Sequence, residues 1–138
     1  MYMMDLRKLF MSKYTSYDVS DVYQGYMDMT YFALFPKSLK HRDLKIAVVF
    51  NYEAFRFEAW LAGRNRTVQQ KYWKVFRDSQ WNDCRIVEPA KGVDAIVECT
   101  LAEDFDFGDL DTLTSSIENA TIRFIDRIEG FLSEHQPV

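Results

Sequence analysis

The sequence predicts a single α+β domain, a two-layer sandwich whose elements follow the order α-α-β-β-α-β-β-α. Two observations predict this class. Runs rich in β-branched and aromatic residues come in neighbouring pairs, and segments of helical periodicity lie before, between and after those pairs. The chain has 138 residues, and its three prolines and five glycines mark no linker, so one domain over residues 1–138 is expected.

Two helices are predicted ahead of the first strand. Residues 5–14 place apolar side chains on one side of a short helix. A second helix is predicted to begin at a capping residue, Asp18 or Ser20, and to run to about Ala33. Pro36 follows closely and blocks its continuation, because proline has no backbone N–H to donate.

The first pair of strands is the clearest local feature. Runs over 44–50 and 55–62 are separated by residues 51–54, which predicts a hairpin with Phe50 opposite Phe55. One face is then wholly apolar and must be covered by helices. The other face carries Lys45, Ala47, Val49, Arg56, Glu58 and Trp60. A slip of one residue would exchange the two faces, so the pattern constrains the register.

Two helices are predicted after this hairpin. The first covers about 68–78, with Asn65 or Thr67 as its cap. The second covers about 110–133, where apolar residues repeat at helical spacing. It would be about 35 Å long, which is enough to cross a sheet of this size.

A second pair of strands, over 84–88 and 93–101, is joined through residues 89–92 and gives a sheet of about four strands. The order of the strands does not follow from the sequence. If this pair joins the same sheet as the first hairpin, Trp81 and Glu98 lie near Glu58.

Composition excludes several classes of protein. No apolar run approaches the length of a membrane helix, and no signal peptide is predicted, so a cytoplasmic protein without membrane association is expected. The two cysteines, Cys84 and Cys99, are predicted to be buried thiols. Charge is uneven, since residues 1–92 carry 15 Lys or Arg and 10 Asp or Glu, whereas residues 93–138 carry 2 and 11. This asymmetry indicates either a charged partner or mutual neutralisation within the fold.

A basic segment joins the first hairpin to the following helix. Arg64 and Arg66 lie at the helix start, where free backbone N–H groups and the helix dipole attract anions. The segment predicts a site for an anionic ligand, with Trp60 or Trp73 as a stacking surface. The alternative is a solvated helix face, or arginines paired with the acidic C-terminal third.

Arg56, Glu58 and Trp60 alternate along one predicted strand and therefore point the same way. A carboxylate among aromatic rings can act as a general acid or base, so Glu58 is the candidate catalytic residue. The alternative is an ion pair between Glu58 and Arg56. Asp43 and Glu58 also invite comparison with metal-dependent nucleases, but Trp60 stands where the nuclease lysine would be, and this interpretation is rejected.

The acidic run Glu103–Asp111 is not a calcium loop, because its glycine stands one position too early. We expect Asp109 and Asp111 to stabilise the first turn of the last helix instead. Phe105 and Phe107 are expected to anchor this connection in the core. No metal site is predicted, and no cofactor is identified.

The stretches 44–50 and 55–66, with Gly63-Arg-Asn-Arg66, and then Lys71-Tyr-Trp73, resemble the central signature of a family of small uncharacterised bacterial proteins. The resemblance covers about a third of the chain. It implies a bacterial, cytosolic protein and supplies no activity.

Three functions stay open. The preferred one is a non-enzymatic module for an anionic ligand, which is a nucleotide, another phosphate-containing small molecule or a nucleic-acid backbone. Its candidate ligand-binding residues are Arg56, Trp60, Arg64, Asn65, Arg66 and Trp73. The second is a homodimeric interaction protein whose interface contains Tyr14, Tyr17, Tyr23, Tyr26 and Tyr31. The third is an enzyme that uses Glu58 as its acid or base.

Overall fold

The computed structural model describes residues 2–24, 29–90 and 94–135. The helices in these ranges are α1 (Tyr2–Lys13), α2 (Lys37–Lys40), α3 (Arg66–Asp78) and α4 (Leu110–Glu134). The strands are β1 (Asp18–Val19), β2 (Tyr23–Gln24), β3 (Met29–Phe35), β4 (Leu44–Asn51), β5 (Arg56–Gly63), β6 (Arg85–Ile86) and β7 (Ala95–Ala102). They form one antiparallel sheet in the order β1-β3-β4-β5-β7-β6, with β2 also paired to β3.

The mixed composition of helices and strands is confirmed, and so is the long C-terminal helix. Among the described residues the sheet has seven strands instead of four, and the arrangement of elements differs from the predicted sandwich. α4 begins one residue after its cap, Asp109, whose side chain accepts a hydrogen bond from the Thr112 N–H. The predicted turn at residues 89–92 lies partly outside the described residues.

The second predicted helix is wrong, because its sequence forms β1, β2 and the greater part of β3. β3 pairs with β4 from Met29 opposite Asn51 to Leu34 opposite Ile46, so a long strand edge is available to this segment. The Ser20 hydroxyl, predicted as a helix cap, accepts a hydrogen bond from the Ala33 N–H at 2.8 Å. It therefore helps to join β1 to β3.

The hairpin of β4 and β5 is confirmed, but its register differs from the prediction by two residues. Phe50 lies opposite Phe57 instead of Phe55. Phe55 belongs to the turn and has a φ of 51°, a left-handed conformation that a strand residue does not adopt. Because side chains alternate with a period of two, this shift keeps the predicted apolar face on one side.

The core lies between that apolar face and the helices. Phe10 of α1 packs against Phe32 of β3 with ring centroids 6.1 Å apart, and Tyr2 contacts Phe57 at 5.7 Å. α3 and α4 meet where the rings of Phe76 and Phe131 stack at 4.5 Å. Burial of these rings stabilises the domain through the hydrophobic effect.

Cys84 and Cys99 form a disulfide, so the prediction of buried free thiols is wrong. β6 pairs Arg85 with Glu98, and the next position along both strands places the cysteines opposite each other. Their Cα atoms are 5.2 Å apart, within the usual range for a disulfide. The bond ties the short edge strand β6 to β7. Disulfides are uncommon in the cytosol, and the cytoplasmic location stays a prediction.

In the described ranges, none of the helices has both the length and the apolar character that crossing a bilayer requires.

Glu118 of α4 is a buried carboxylate that joins the N-terminal and C-terminal helices. Its Oε2 accepts hydrogen bonds from Lys13 Nζ and from the Tyr14 hydroxyl, both at 2.6 Å. The hydrogen bonds from Lys13 and Tyr14 lower the pKa of Glu118 below 4.5. Burial, together with the hydrogen bond to Glu118, raises the pKa of Tyr14 to about 12.

A lowered carboxyl pKa contributes stability above its unfolded value and loses it as pH falls through the folded value. We therefore expect the free energy of unfolding to decrease as the pH falls below 4.5. Glu118→Gln should reduce this acid dependence, measured by urea unfolding from about pH 3 to about pH 7. Glu134→Gln, at an exposed position of the same helix, should leave it unchanged. A Glu118→Gln profile parallel to that of the native protein would contradict this role.

Candidate functional site

The structure separates the predicted ligand-binding residues into two places. Arg56 and Trp60 lie on one face of β5, together with Glu58. Arg64, Asn65 and Arg66 lie beyond the end of the same strand, at the start of α3. Six residues of extended chain separate Glu58 from Arg64, which corresponds to about 20 Å. These residues therefore do not form one cleft.

Glu58 is buried, with 3% of its surface exposed. Its carboxylate accepts hydrogen bonds from Arg56 Nε at 2.5 Å and from the indole N–H of Trp60 at 3.0 Å. A buried carboxylate is tolerated when a cation and hydrogen-bond donors compensate for lost hydration. This ion pair between Arg56 and Glu58 is the alternative that the sequence analysis left open. Because Glu58 is paired, it is a poor candidate for a general acid or base.

A second ion pair lies beside this cluster. Glu98 of β7 is opposite Trp60 of β5 on one side and opposite Arg85 of β6 on the other. Arg85 Nη1 lies 3.1 Å from Glu98 Oε1, and the two form an ion pair. Burial and the charge of Glu58 raise the pKa of Glu98. Glu98 is thus near Glu58, as expected.

Trp81 was also expected to lie near Glu58, and this prediction is wrong. Its ring contacts Phe76 of α3 at 5.2 Å and Phe131 of α4 at 5.0 Å. It therefore belongs to the helical side of the domain, because residue 81 lies directly after α3 and before the sheet resumes at β6. In the part of the chain that the structure describes, His, Cys, Asp and Glu form no cluster able to hold a metal ion.

The start of α3 depends on a close approach between β5 and the helix. A Cβ atom on Gly63 would lie 2.8 Å from the backbone nitrogen of Gln69, so a side chain does not fit there. Asn65 is the cap, as one of the two predicted alternatives, and its Oδ1 accepts from the Val68 N–H at 2.9 Å. This oxygen is therefore engaged with the helix.

Arg64 and Arg66 are exposed to solvent at this helix start. The Arg64 side chain is 76% exposed, and its ion-pair partner is Asp43 at 3.6 Å, itself 52% exposed. Arg66 forms no ion pair within residues 2–24, 29–90 and 94–135. Neither guanidinium group pairs with a carboxylate of residues 94–135, the described part of the acidic C-terminal third.

Trp73 lies two turns into α3 and is half-buried. The guanidinium carbon of Arg77 lies 4.7 Å from the centre of its ring, a cation–π contact. Arg77 thus covers part of the surface that the sequence assigned to ligand stacking. The indole nitrogen is buried and has no hydrogen-bond acceptor within the described ranges.

The N-terminal tyrosines are used partly within the chain. Tyr14 and Tyr17 stack with ring centroids 5.7 Å apart, and Tyr14 also binds Glu118. Tyr23 is exposed beside Tyr31, and Tyr26 lies outside the described residues. Among the four described tyrosines, these contacts form two separate pairs, Tyr14 with Tyr17 and Tyr23 with Tyr31.

Sequence reasoning missed a group of exposed aromatic residues at the opposite end of β5 from Arg64. Phe55 was assigned to a strand and Phe107 to the core, but each exposes about half of its surface, 54% and 46%. Only Phe105 of the predicted core pair packs inward, against Phe57 at 5.3 Å. The available signal was the alternation of Phe and Asp in a loop, which is unusual for residues that are all buried.

The model of a family described as a domain of unknown function, DUF7000, matches residues 1–132. The chain belongs to this family. The predicted membership of a family of unknown function is therefore confirmed. The bacterial origin stays a prediction. A comparison with curated proteins found no match, and a comparison with solved structures found none either.

Proposed function

We propose that this DUF7000 domain is a non-enzymatic binding module that holds an anionic ligand at the start of α3. The observation that carries the proposal is the exposure of Arg64 and Arg66 at a capped helix terminus. Asp43 competes for Arg64, but an ion pair this exposed is weak and exchanges readily for a ligand. The proposal retains the bacterial origin and cytoplasmic location predicted from the sequence.

Three physical terms favour an anion at this place. The first turn of a helix has backbone N–H groups without an intrahelical partner, and the helix dipole adds positive potential. Guanidinium groups donate two parallel hydrogen bonds to phosphate or carboxylate oxygens. Gly63 brings β5 close to α3, so Arg64, just before the cap Asn65, and Arg66, the first residue of α3, both lie at the helix start.

The ligand that fits carries phosphate: a nucleotide, another phosphate-containing small molecule, or the phosphate backbone of a nucleic acid. The binding of these ligands differs in its dependence on salt. A backbone that contacts several cations loses affinity steeply with salt because counterions are released, whereas a single phosphate group shows a shallower slope.

The test is a thermal-shift panel of nucleotides, sugar phosphates and short oligonucleotides, followed by titration of whichever compound stabilises the protein. Arg64→Ala combined with Arg66→Ala should weaken that binding by about tenfold or more, since two charge-assisted contacts are lost. Lys71→Ala combined with Lys74→Ala is the matched control, because it removes two exposed charges from the middle of the same helix.

The proposal fails if none of these anions raises the melting temperature. It also fails if the arginine variant binds as tightly as the native protein, or if the lysine control loses as much affinity. The last result would indicate a diffuse electrostatic attraction to α3.

A further inference from the structure

An exposed apolar patch lies at the end of β5 remote from Arg64. The turn between β4 and β5 meets the loop between β7 and α4 there, and we call this surface the aromatic end. Its centre is Phe55 and Phe107, whose ring centroids are 6.0 Å apart and which are 54% and 46% exposed; Tyr52 and Leu110, on the same two segments, are 45% and 44% exposed. Large apolar side chains grouped in this way on a surface are typical of interaction sites.

The aromatic end rests on a packed base. Phe105 stacks under Phe55 at 5.4 Å and meets Phe107 edge-on at 4.8 Å. It also contacts Phe57, which belongs to the core. The exposed rings are therefore held in place before a partner arrives, which reduces the entropy lost on binding.

The two segments that form the patch are acidic, and the cation that follows Phe55 directly, Arg56, pairs with Glu58. These segments, residues 51–55 and 103–111, contain six carboxylates and no Lys or Arg. All six are exposed, and in the described part of the chain none of them forms an ion pair. Asp106 accepts a hydrogen bond from the Gly108 N–H of its own loop and Asp109 accepts one from the Thr112 N–H in the first turn of α4, and neither contact supplies a cation.

This charge decides between possible occupants. A symmetric dimer places the same patch of two copies face to face, and the two sets of carboxylates would then repel each other. A partner with Lys or Arg next to an apolar side chain satisfies both parts of the surface. Its cations would meet the carboxylates and the aromatic faces, and its apolar group would cover the rings.

We propose that the aromatic end is a docking surface for a basic, amphipathic segment of a partner protein. This surface is separate from the arginine site at the start of α3, and the two can be tested independently.

The probe is a fluorescently labelled synthetic helix of about 18 residues, with Lys on one side and Leu and Trp on the other. Binding is measured by anisotropy. We expect the native protein to bind it, and Phe55→Ser combined with Phe107→Ser to weaken binding by about tenfold or more. Tyr23→Ser is the matched control, because Tyr23 is equally exposed on β2.

Charge is tested separately. Glu53→Gln, Glu103→Gln and Asp104→Asn in one variant should weaken binding at low salt and flatten its salt dependence. A peptide with Glu in place of Lys should not bind, and neither should one with Ser in place of Leu and Trp. Arg64→Ala combined with Arg66→Ala should bind the Lys peptide as the native protein does.

Three results would overturn the proposal. The first is equal affinity of the Lys peptide for the native and Phe-to-Ser proteins, with circular dichroism showing both folded. Should the double variant be unfolded, Phe107→Ser alone replaces it in the same comparison. The second is equal binding of the Glu peptide. The third is a light-scattering result in which the native protein is a dimer and the Phe-to-Ser variant is a monomer. A second copy of the chain would then occupy the aromatic end.

Discussion

Gly63→Ala is expected to lower the free energy of unfolding by about 1–3 kcal/mol, because it forces a methyl group into a contact between backbones. The added Cβ would lie 2.8 Å from the Gln69 nitrogen and 3.1 Å from its Cα. Both are backbone atoms of α3, so no side chain can rotate away to make room. The helix must instead move off β5, which also displaces Arg64. Urea unfolding measures the effect.

Gly130→Ala is the matched control, and its effect should have the opposite sign. Gly130 lies within α4, and a Cβ there would have no atom within 4 Å. Replacing an exposed helical glycine by alanine stabilises a helix by about 1 kcal/mol. Equal effects at the two glycines would show that β5 and α3 tolerate a wider separation than the structure indicates.

Arg56→Met is expected to lower the free energy of unfolding by about 1.5–3 kcal/mol near neutral pH. Methionine retains the apolar stem of the side chain but removes the cation that pairs with Glu58. The Glu58 carboxylate would then be buried with only the Trp60 N–H as a donor.

Arg85→Met tests whether burial is the cause. Arg85 pairs with Glu98 near the same cluster, but its side chain is 72% exposed, against 33% for Arg56. Exposed ion pairs contribute little, so the change should be within about 1 kcal/mol of the native stability. If Arg56→Met lowers the free energy of unfolding as little as Arg85→Met, the ion pair with Glu58 does not stabilise the fold. Glu58 would then again be a candidate general acid or base.

Elements with a strong local pattern could be predicted from the sequence. α4 has a long apolar periodicity with an acidic cap, and α3 has a capping Asn65 two residues after Gly63. The hairpin of β4 and β5 has a wholly apolar face, so its two sides were predicted correctly even though its register was not. In these segments the spacing of neighbouring residues is enough to determine the element.

The candidate site was predicted only in part. Asn65 as the cap and the proximity of Glu98 to Glu58 could be inferred, because each depends on a short segment or on strand alternation. The separation of Arg56 from Arg64 also follows from strand geometry, but only once β5 is known to be extended along its whole length. The pairing of residues 84–88 with 93–101 was predicted, but the register that places Cys84 opposite Cys99, and so the disulfide, was not.

What the sequence by itself determined is the presence of α3, α4 and the central hairpin, together with the wholly apolar side of the hairpin that faces the helices. Tertiary structure decided that residues 29–35 form a strand, because an apolar segment becomes a strand when a neighbouring edge, here β4, accepts its hydrogen bonds. It also brought residues 51–55 beside 103–111 and so created the aromatic end. Such contacts join segments far apart in the chain, and short-range periodicity carries no information about them.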